Sequence, residues 1–486
     1  MGLCAAVDDF QAELDRWVTT HSGTEKKVSA DDFKSWIGTV LEQGFDGGVS
    51  LDLRGCCFEG GSFELGPTRC CQGLKLSNGT LDISNGLRVK GFEGLELEDM
   101  VLKGHDVGIA MTDSCVSLRN CRISSGCTLA IASQSKVDFS HCQLCESSSG
   151  DGLIVLGSKA AATAQSCDFE NNTGSGVRVL RGARAELKDC TVGNSKDSAG
   201  LVVTGAGCRA VVTSCEFLAN HCNGIAVADG ACVEVSDSVI QDTAGFHGLA
   251  ASDLGTKVQI VECDFLNNHE CGVYVTAGAS VSMNQCIAKG SKKFSGISVE
   301  GQNTKLDATS CEFLENMHCG CAIGGGAQVN LNGCVGKGSK ELYGIAVTGE
   351  ATRAELKGCH FSHNYLCGVY VYGGARVSLE RCVSKAGKEG SDGCSSVGFG
   401  KGSLMLCGSK LMDQGGNFGQ WHRNGVSMIG GGTATLTECV SRTSGPNGVT
   451  VIGGSSSVLA RKCDFGGESR DQRLDQAFAS MLQINP

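Results

Sequence analysis

From about residue 49 the chain reads as short alternating segments, apolar at every second position and bounded by Gly, Asn or Ser. The segments VSLDLRG, LKLSNGTLDIS and LRVKGFEGLELEDMVLKG open this pattern with uneven lengths. Between residues 167 and 382 it becomes regular, and three segments recur in order: G-V-x-V, A-x-V-x-L and C-x-F. Strict alternation over four or five residues between turn formers predicts a strand with one buried face. Cysteine marks the register at 167, 190, 215, 263, 286, 311, 334, 359 and 382, with Ser238 in the remaining slot. The steps are 23 and 25 residues by turns, so the unit is about 24 residues and two alternating forms make a 48-residue super-repeat.

A fixed period in this range is the signature of a solenoid. Three strands per coil, each stacked on its copy in the next at ~4.8 Å, predict an all-β, right-handed parallel β-helix. Inward residues then stack on their own kind, Cys on Cys and Val or Ile on Val. Asn172, Asn220, Asn268, Asn316 and Asn364 stand five residues past their cysteines, and Ser195, Thr243, Ser291 and Ser339 fill that slot in the alternate coils. Such a ladder is expected to bond the turn's backbone groups and its own members.

The expected organisation is an N-terminal helical cap over 1–48, a β-helix over 49–466 and a C-terminal helical cap over 467–486. Within the β-helix, coils are irregular over 49–166, regular over 167–382 and loop-bearing over 383–463. Phe10, Leu14, Trp17 and Val18 make one helical face, and Ser29-Ala-Asp-Asp32 opens a second helix. Leu474, Phe478, Met481 and Leu482 make the last one. Caps are expected because a bare terminal coil exposes unpaired strand edges. The doublets Cys56-Cys57 and Cys70-Cys71 fall in expected loops.

Composition narrows the picture. The 71 glycines and 3 prolines suit tight turns between short strands. A net charge of −11 argues against nucleic acid or an anionic membrane as partner. No apolar run is long enough to span a membrane, and MGLCAAVDDFQAELDRW lacks the form of a secretory signal. Most of the 30 cysteines fall on inward positions, where a free thiol acts as a small apolar group. A reducing, cytoplasmic setting is therefore expected. Cys142-x-x-Cys145 and Cys319-x-Cys321 lack a second matched pair, so no metal and no cofactor is expected.

The unit G-V-Y-V-x-x-G-A-x-V-x-L-x-x-C-x-F-x-x-N resembles the right-handed β-helix repeat of the pectin-lyase-like superfamily, over roughly residues 49–463. It most resembles the non-enzymatic branch with short regular coils, such as the β-helix repeats of F-box proteins. The resemblance implies the fold. That fold hosts lyases, hydrolases, epimerases, adhesins and scaffolds, so function must come from the site.

Outward positions on the G-V-x-V strands are mostly small. They include Ala250, Tyr274, Ser298, Ala322, Ala346 and Tyr370 in one column and Thr276, Glu300, Gly324, Thr348 and Tyr372 in the next. Glu300 is the one carboxylate in eighteen such positions from residue 178 to 372, so these columns hold no acid–base pair. The expectation is a non-catalytic structural or protein-interaction scaffold. The alternative is a carbohydrate-active enzyme or polysaccharide-binding protein using Glu300, Asp392 or Asp413 near the 385–425 loops. Candidate binding residues are Tyr274, Tyr370 and Tyr372 on the strip and Phe418, Trp421, His422 and Arg423 in a long loop. A protein is the expected partner, with polysaccharide as the alternative. Lys196, Lys292, Lys340 and Lys388 form a basic file at the turns, read as solvated charge rather than a polyanion site.

Overall fold

The computed structural model describes residues 2–20, 27–29, 32, 33, 35, 37, 49–66 and 72–385, and beyond them the strands from Cys394–Val397 to Leu482–Asn485. It is a parallel β-solenoid with about 24 residues per turn and one helix of four or more turns among the described residues. Two compact units divide it, residues 1–234 and 235–486.

Each regular coil carries three strands, and each strand pairs in parallel with its counterpart one coil on. In the second unit Val273–Thr276 pairs with Ile297–Glu300, Ser280–Asn284 with Lys305–Thr309, and Ile287–Lys289 with Glu312–Leu314. The register sets Val273 on Ile297 and Tyr274 on Ser298, so each inward or outward residue stacks on its equivalent. The first unit repeats the scheme, with Val177–Leu180 on Leu201–Thr204 and Arg184–Lys188 on Arg209–Thr213. The uneven early segments have a simple cause. In Gln72–Ile83 and Glu93–Lys103 two strands of the coil run together without a turn between them.

The interior is the predicted stack. Phe169 and Phe217 in the first unit, and Phe265, Phe313 and Phe361 in the second, are fully buried. The cysteine column is buried as well, and each thiol bonds the carbonyl two residues back, as Cys311 Sγ does to Thr309 at 3.3 Å. Ser238 makes the same bond to Ser236 at 2.7 Å, which explains how it fills a cysteine slot.

The asparagine ladder is fully buried, and it works through the backbone rather than side chain to side chain. Asn316 Nδ2 donates to Ala288 O at 3.0 Å, and its Oδ1 accepts the Ser291 N–H at 3.0 Å, both in the preceding coil. Asn220, Asn268 and Asn364 repeat both bonds. The amide therefore satisfies one donor and one acceptor that the bend leaves unpaired. It also explains a glycine. A Cβ at Gly296 would lie 2.6 Å from Asn316 Nδ2, so the residue before the first strand must lack a side chain.

At the N-terminus the helix Gly2–Thr20 buries Phe10 and Leu14, and Gln11 Nε2 donates to Asp52 O at 3.1 Å. Phe33 packs on Phe58 and Phe63 with ring centroids 4.3 and 4.9 Å apart. Ser29 Oγ accepts the Asp32 N–H at 3.1 Å, the capping contact the sequence predicts. Two expectations differ. Cys57 opens a strand, Cys57–Gly60, instead of lying in a loop, while its neighbour Cys56 points into the core. Leu482, expected on a helical face, begins the strand Leu482–Asn485, paired in parallel with Ser457–Arg461. Cys70, Cys71 and residues 474–481 lie outside the described residues. No helix among the described residues is long and apolar enough to cross a membrane.

Candidate functional site

The second unit carries a groove of about 1050 Å³ on the outer face of its first strands. It reaches from the coil of Phe246 to the coil of Tyr370, five coil steps or about 24 Å at the sheet spacing. Its floor is the outward column of those strands. Ser298 and Ala346 point outward from the sheet yet are buried, because the groove walls cover them. Tyr274 stands at one end of this small-residue floor and Tyr370 at the other.

The wall comes from the turn that precedes each first strand. Here the repeat places Phe246, Glu270, Phe294, His318 and Leu342 at 24-residue spacing, with His247, Cys271, Ser295, Cys319 and Tyr343 beside them. Phe246 and Phe294 are 47% and 43% exposed, unusual for phenylalanine, and stand two coils apart on the rim. Tyr343 stacks on Tyr370 with centroids 4.2 Å apart and planes 4° from parallel. Tyr372 continues the stack at 6.2 Å. At the other end His247 stacks on Tyr274 at 4.5 Å.

Polar groups converge between these aromatic ends. Glu300 accepts hydrogen bonds from Ser298 Oγ at 3.1 Å and from the Tyr274 hydroxyl at 3.4 Å. His247 Nε2 lies 3.3 Å from Glu270 Oε2, while its Nδ1 accepts the Cys271 N–H at 3.3 Å. Burial holds His247 down to about 4. The ring is therefore neutral at pH 7, with Nδ1 as acceptor and the proton on Nε2, donated to Glu270. His318 Nε2 lies 3.4 Å from Glu341 and meets the Phe294 ring edge-on at 5.4 Å. Burial pushes Cys271 up to about 12 and Cys319 up to about 11, so both groove thiols stay protonated and are poor nucleophiles. Tyr274, Tyr343 and Tyr370 are pushed up by burial and remain neutral phenols.

Of the residues singled out in the sequence, Tyr274 and Tyr370 line the groove and Tyr372 lies beside it on the stack. Phe418, Trp421, His422 and Arg423, with Asp392 and Asp413, lie outside the described residues. Glu270, His247, His318, Tyr343, Phe246 and Phe294 were missed. Counting carboxylates along the strand columns left out the turn, where Glu270 supplies the second one. The signal was present as a 24-residue column in the turn, bearing aromatic, His and Glu side chains where the same turns of the first unit carry Gly174, Ser198 and Cys222. No cluster of metal-ligating side chains occurs among the described residues.

Solved structures with a similar chain path include the following three. The catalytic domain of Agl-KA is 9% identical, covering 90% of this chain and 69% of that one, with a TM-score of 0.33. The A-module of the mannuronan C-5 epimerase AlgE4 from Azotobacter vinelandii is 8% identical, covering 90% of this chain and 100% of that one, with a TM-score of 0.29. The catalytic unit of an α-1,3-glucanase from Streptomyces thermodiastaticus is 11% identical, covering 85% of this chain and 69% of that one, with a TM-score of 0.29. No curated protein sequence matches the chain. The expectation of a chain without catalytic function does not stand: it relied on a face with one carboxylate, and the turn brings Glu270 into the same groove as Glu300. At this level of identity the likeness assigns no activity.

The family model described as "Right handed beta helix region" matches residues 107–265, 152–305 and 200–354. These overlapping matches run from 107 to 354, just over half of the 486 residues. The three strands per coil, the parallel pairing and the stacked interior are what that description requires, and the chain belongs to the right-handed β-helix family.

Proposed function

We propose that this protein is carbohydrate-active or carbohydrate-binding, and that the groove of the second unit takes an extended polysaccharide chain. The observation that carries this is a pair of aromatic stacks at the two ends of a floor of small residues along one continuous groove. The faces of sugar rings present C–H groups that pack on the negative face of an aromatic ring, and their hydroxyls need acceptors and donors. Tyr274, Tyr343, Tyr370 and Phe294 supply the first, and Glu270, Glu300, Ser298 and His318 the second. Two carboxylates in one groove also supply the groups that glycosidic chemistry uses.

The test is a glycan array and affinity electrophoresis with wild type, Tyr343→Ala and Tyr370→Ala. The expected result is binding by wild type and at least a tenfold loss in each variant, with the circular dichroism spectrum unchanged. Equal binding in all three proteins, or none to any glycan, would sink the proposal.

A second reading is a protein partner on the same strip, favoured by the exposed rings of Phe246, Phe294 and Tyr372. It predicts a partner from native extract that is released by Phe294→Ala and is not displaced by soluble glycans. For location we propose a reducing compartment, supported by the buried thiols that donate to carbonyls along the cysteine columns.

A further inference from the structure

We propose that the ligand of this groove is a neutral glycan rather than a polyuronate. This rests on the carbohydrate reading above and names the class of chain. The charged side chains that line the groove are Glu270 and Glu300, and its lining residues include neither lysine nor arginine. His247 does not compensate them. Its Nδ1 is taken by the Cys271 N–H and its Nε2 faces Glu270, so the imidazole is a neutral hydrogen-bond donor rather than a cation. Glu300 is held by two neutral hydroxyls, those of Ser298 and Tyr274.

Two lysines near the wall in sequence are engaged with acids of their own. Lys292, on the turn before the wall, sets its ammonium 3.3 Å from Asp242 and is half exposed. Lys289 sits 3.4 Å from Glu315 on the third-strand face. His318 at the rim is already beside Glu341.

The groove is therefore rich in acceptors and carries negative charge. A polyuronate would place a carboxylate on each ring near Glu270 and Glu300, with no cation between. A neutral glycan presents hydroxyl donors at the same places, and a hydroxyl donating to a carboxylate makes a charge-assisted hydrogen bond. The aromatic ends take the ring faces of either class, so discrimination falls to the two glutamates.

The experiment is affinity electrophoresis and calorimetry of the full chain at low salt, against neutral glucans and xylans in one arm and alginate and polygalacturonate in the other. The expected result is binding to a neutral glycan at least tenfold tighter than to any polyuronate, with the gap narrowing at high salt. Glu300→Gln is expected to weaken the neutral ligand while Glu300→Lys raises polyuronate binding; melting curves establish that both variants fold. A polyuronate bound as tightly as the best neutral glycan, and lost in Tyr370→Ala, would overturn the neutral class and leave the carbohydrate reading standing. No binding in either arm by the folded wild type would overturn both.

Discussion

The two units share one interior and differ in what they show to solvent. Residues 177–180 and 273–276 have the same strand, the same burial alternation and the same parallel register. Yet the outward residue at 178 is an arginine, with Nη2 2.9 Å from the buried Asp151 and 3.3 Å from Ser175. At the equivalent position 274 stands a tyrosine stacked on His247 and bonded to Glu300. At this position the first unit holds an ion pair, and the second lines a groove. The comparison teaches that coil geometry is set by the inward columns with the buried asparagine and glycine of the turn, and that the outward and exposed turn positions are free to differentiate.

That division can be attacked where it predicts equality. Phe217→Ala and Phe313→Ala remove the same buried ring from the two units. Each is expected to cost about 3–5 kcal/mol in urea unfolding, the usual range for a phenylalanine cavity. Costs that differ by more than about 2 kcal/mol would show that the two interiors are not equivalent.

A second test looks for behaviour confined to the second unit. Burial holds His247 at about 4, below the ordinary 6.5 that the unfolded chain restores. The unfolded state then binds the proton more tightly. Stability from this group is complete above pH 6.5 and is lost as pH falls from 6.5 towards 4. The gap between 6.5 and about 4 sets the expected loss at roughly 3 kcal/mol. His247→Phe, which keeps the stack on Tyr274, should lose less stability over that window than wild type. Identical pH profiles of the urea midpoint would show that the ring is not held neutral.

The smallest expected effect sharpens the reading of the inward columns. Cys311→Ser should cost less than about 1 kcal/mol, because the hydroxyl can repeat the bond that Ser238 makes to the carbonyl two residues back. Cys311→Leu, which must push into its stacked neighbours, should cost about 1–3 kcal/mol. A serine variant as unstable as the leucine variant would mean that the slot depends on sulfur itself.

The fold was legible because a solenoid repeats its constraint. The 23- and 25-residue cysteine steps, the Asn–Ser alternation and the period-two strands each predict the same coil. The groove was only half legible. Tyr274 and Tyr370 lie on strands, where side-chain direction follows from alternation. Glu270, His247 and Tyr343 lie on a bend, where direction depends on backbone geometry that no alternation reveals. The burial of Ser298 and Ala346 was likewise hidden, since it arises from walls and not from the strand.

The asparagine ladder has a consequence for how such a chain can lengthen. Each asparagine reaches back to a serine or threonine coil, and needs a glycine in that coil to clear its amide. Throughout residues 167–382 the coil that receives the amide is of the serine or threonine type. Residues 167–382 are thus an alternating copolymer of two coil types. Their heritable building block is the pair, so growth, loss or grafting should proceed by 48 residues at a time, with single-coil insertions selected against.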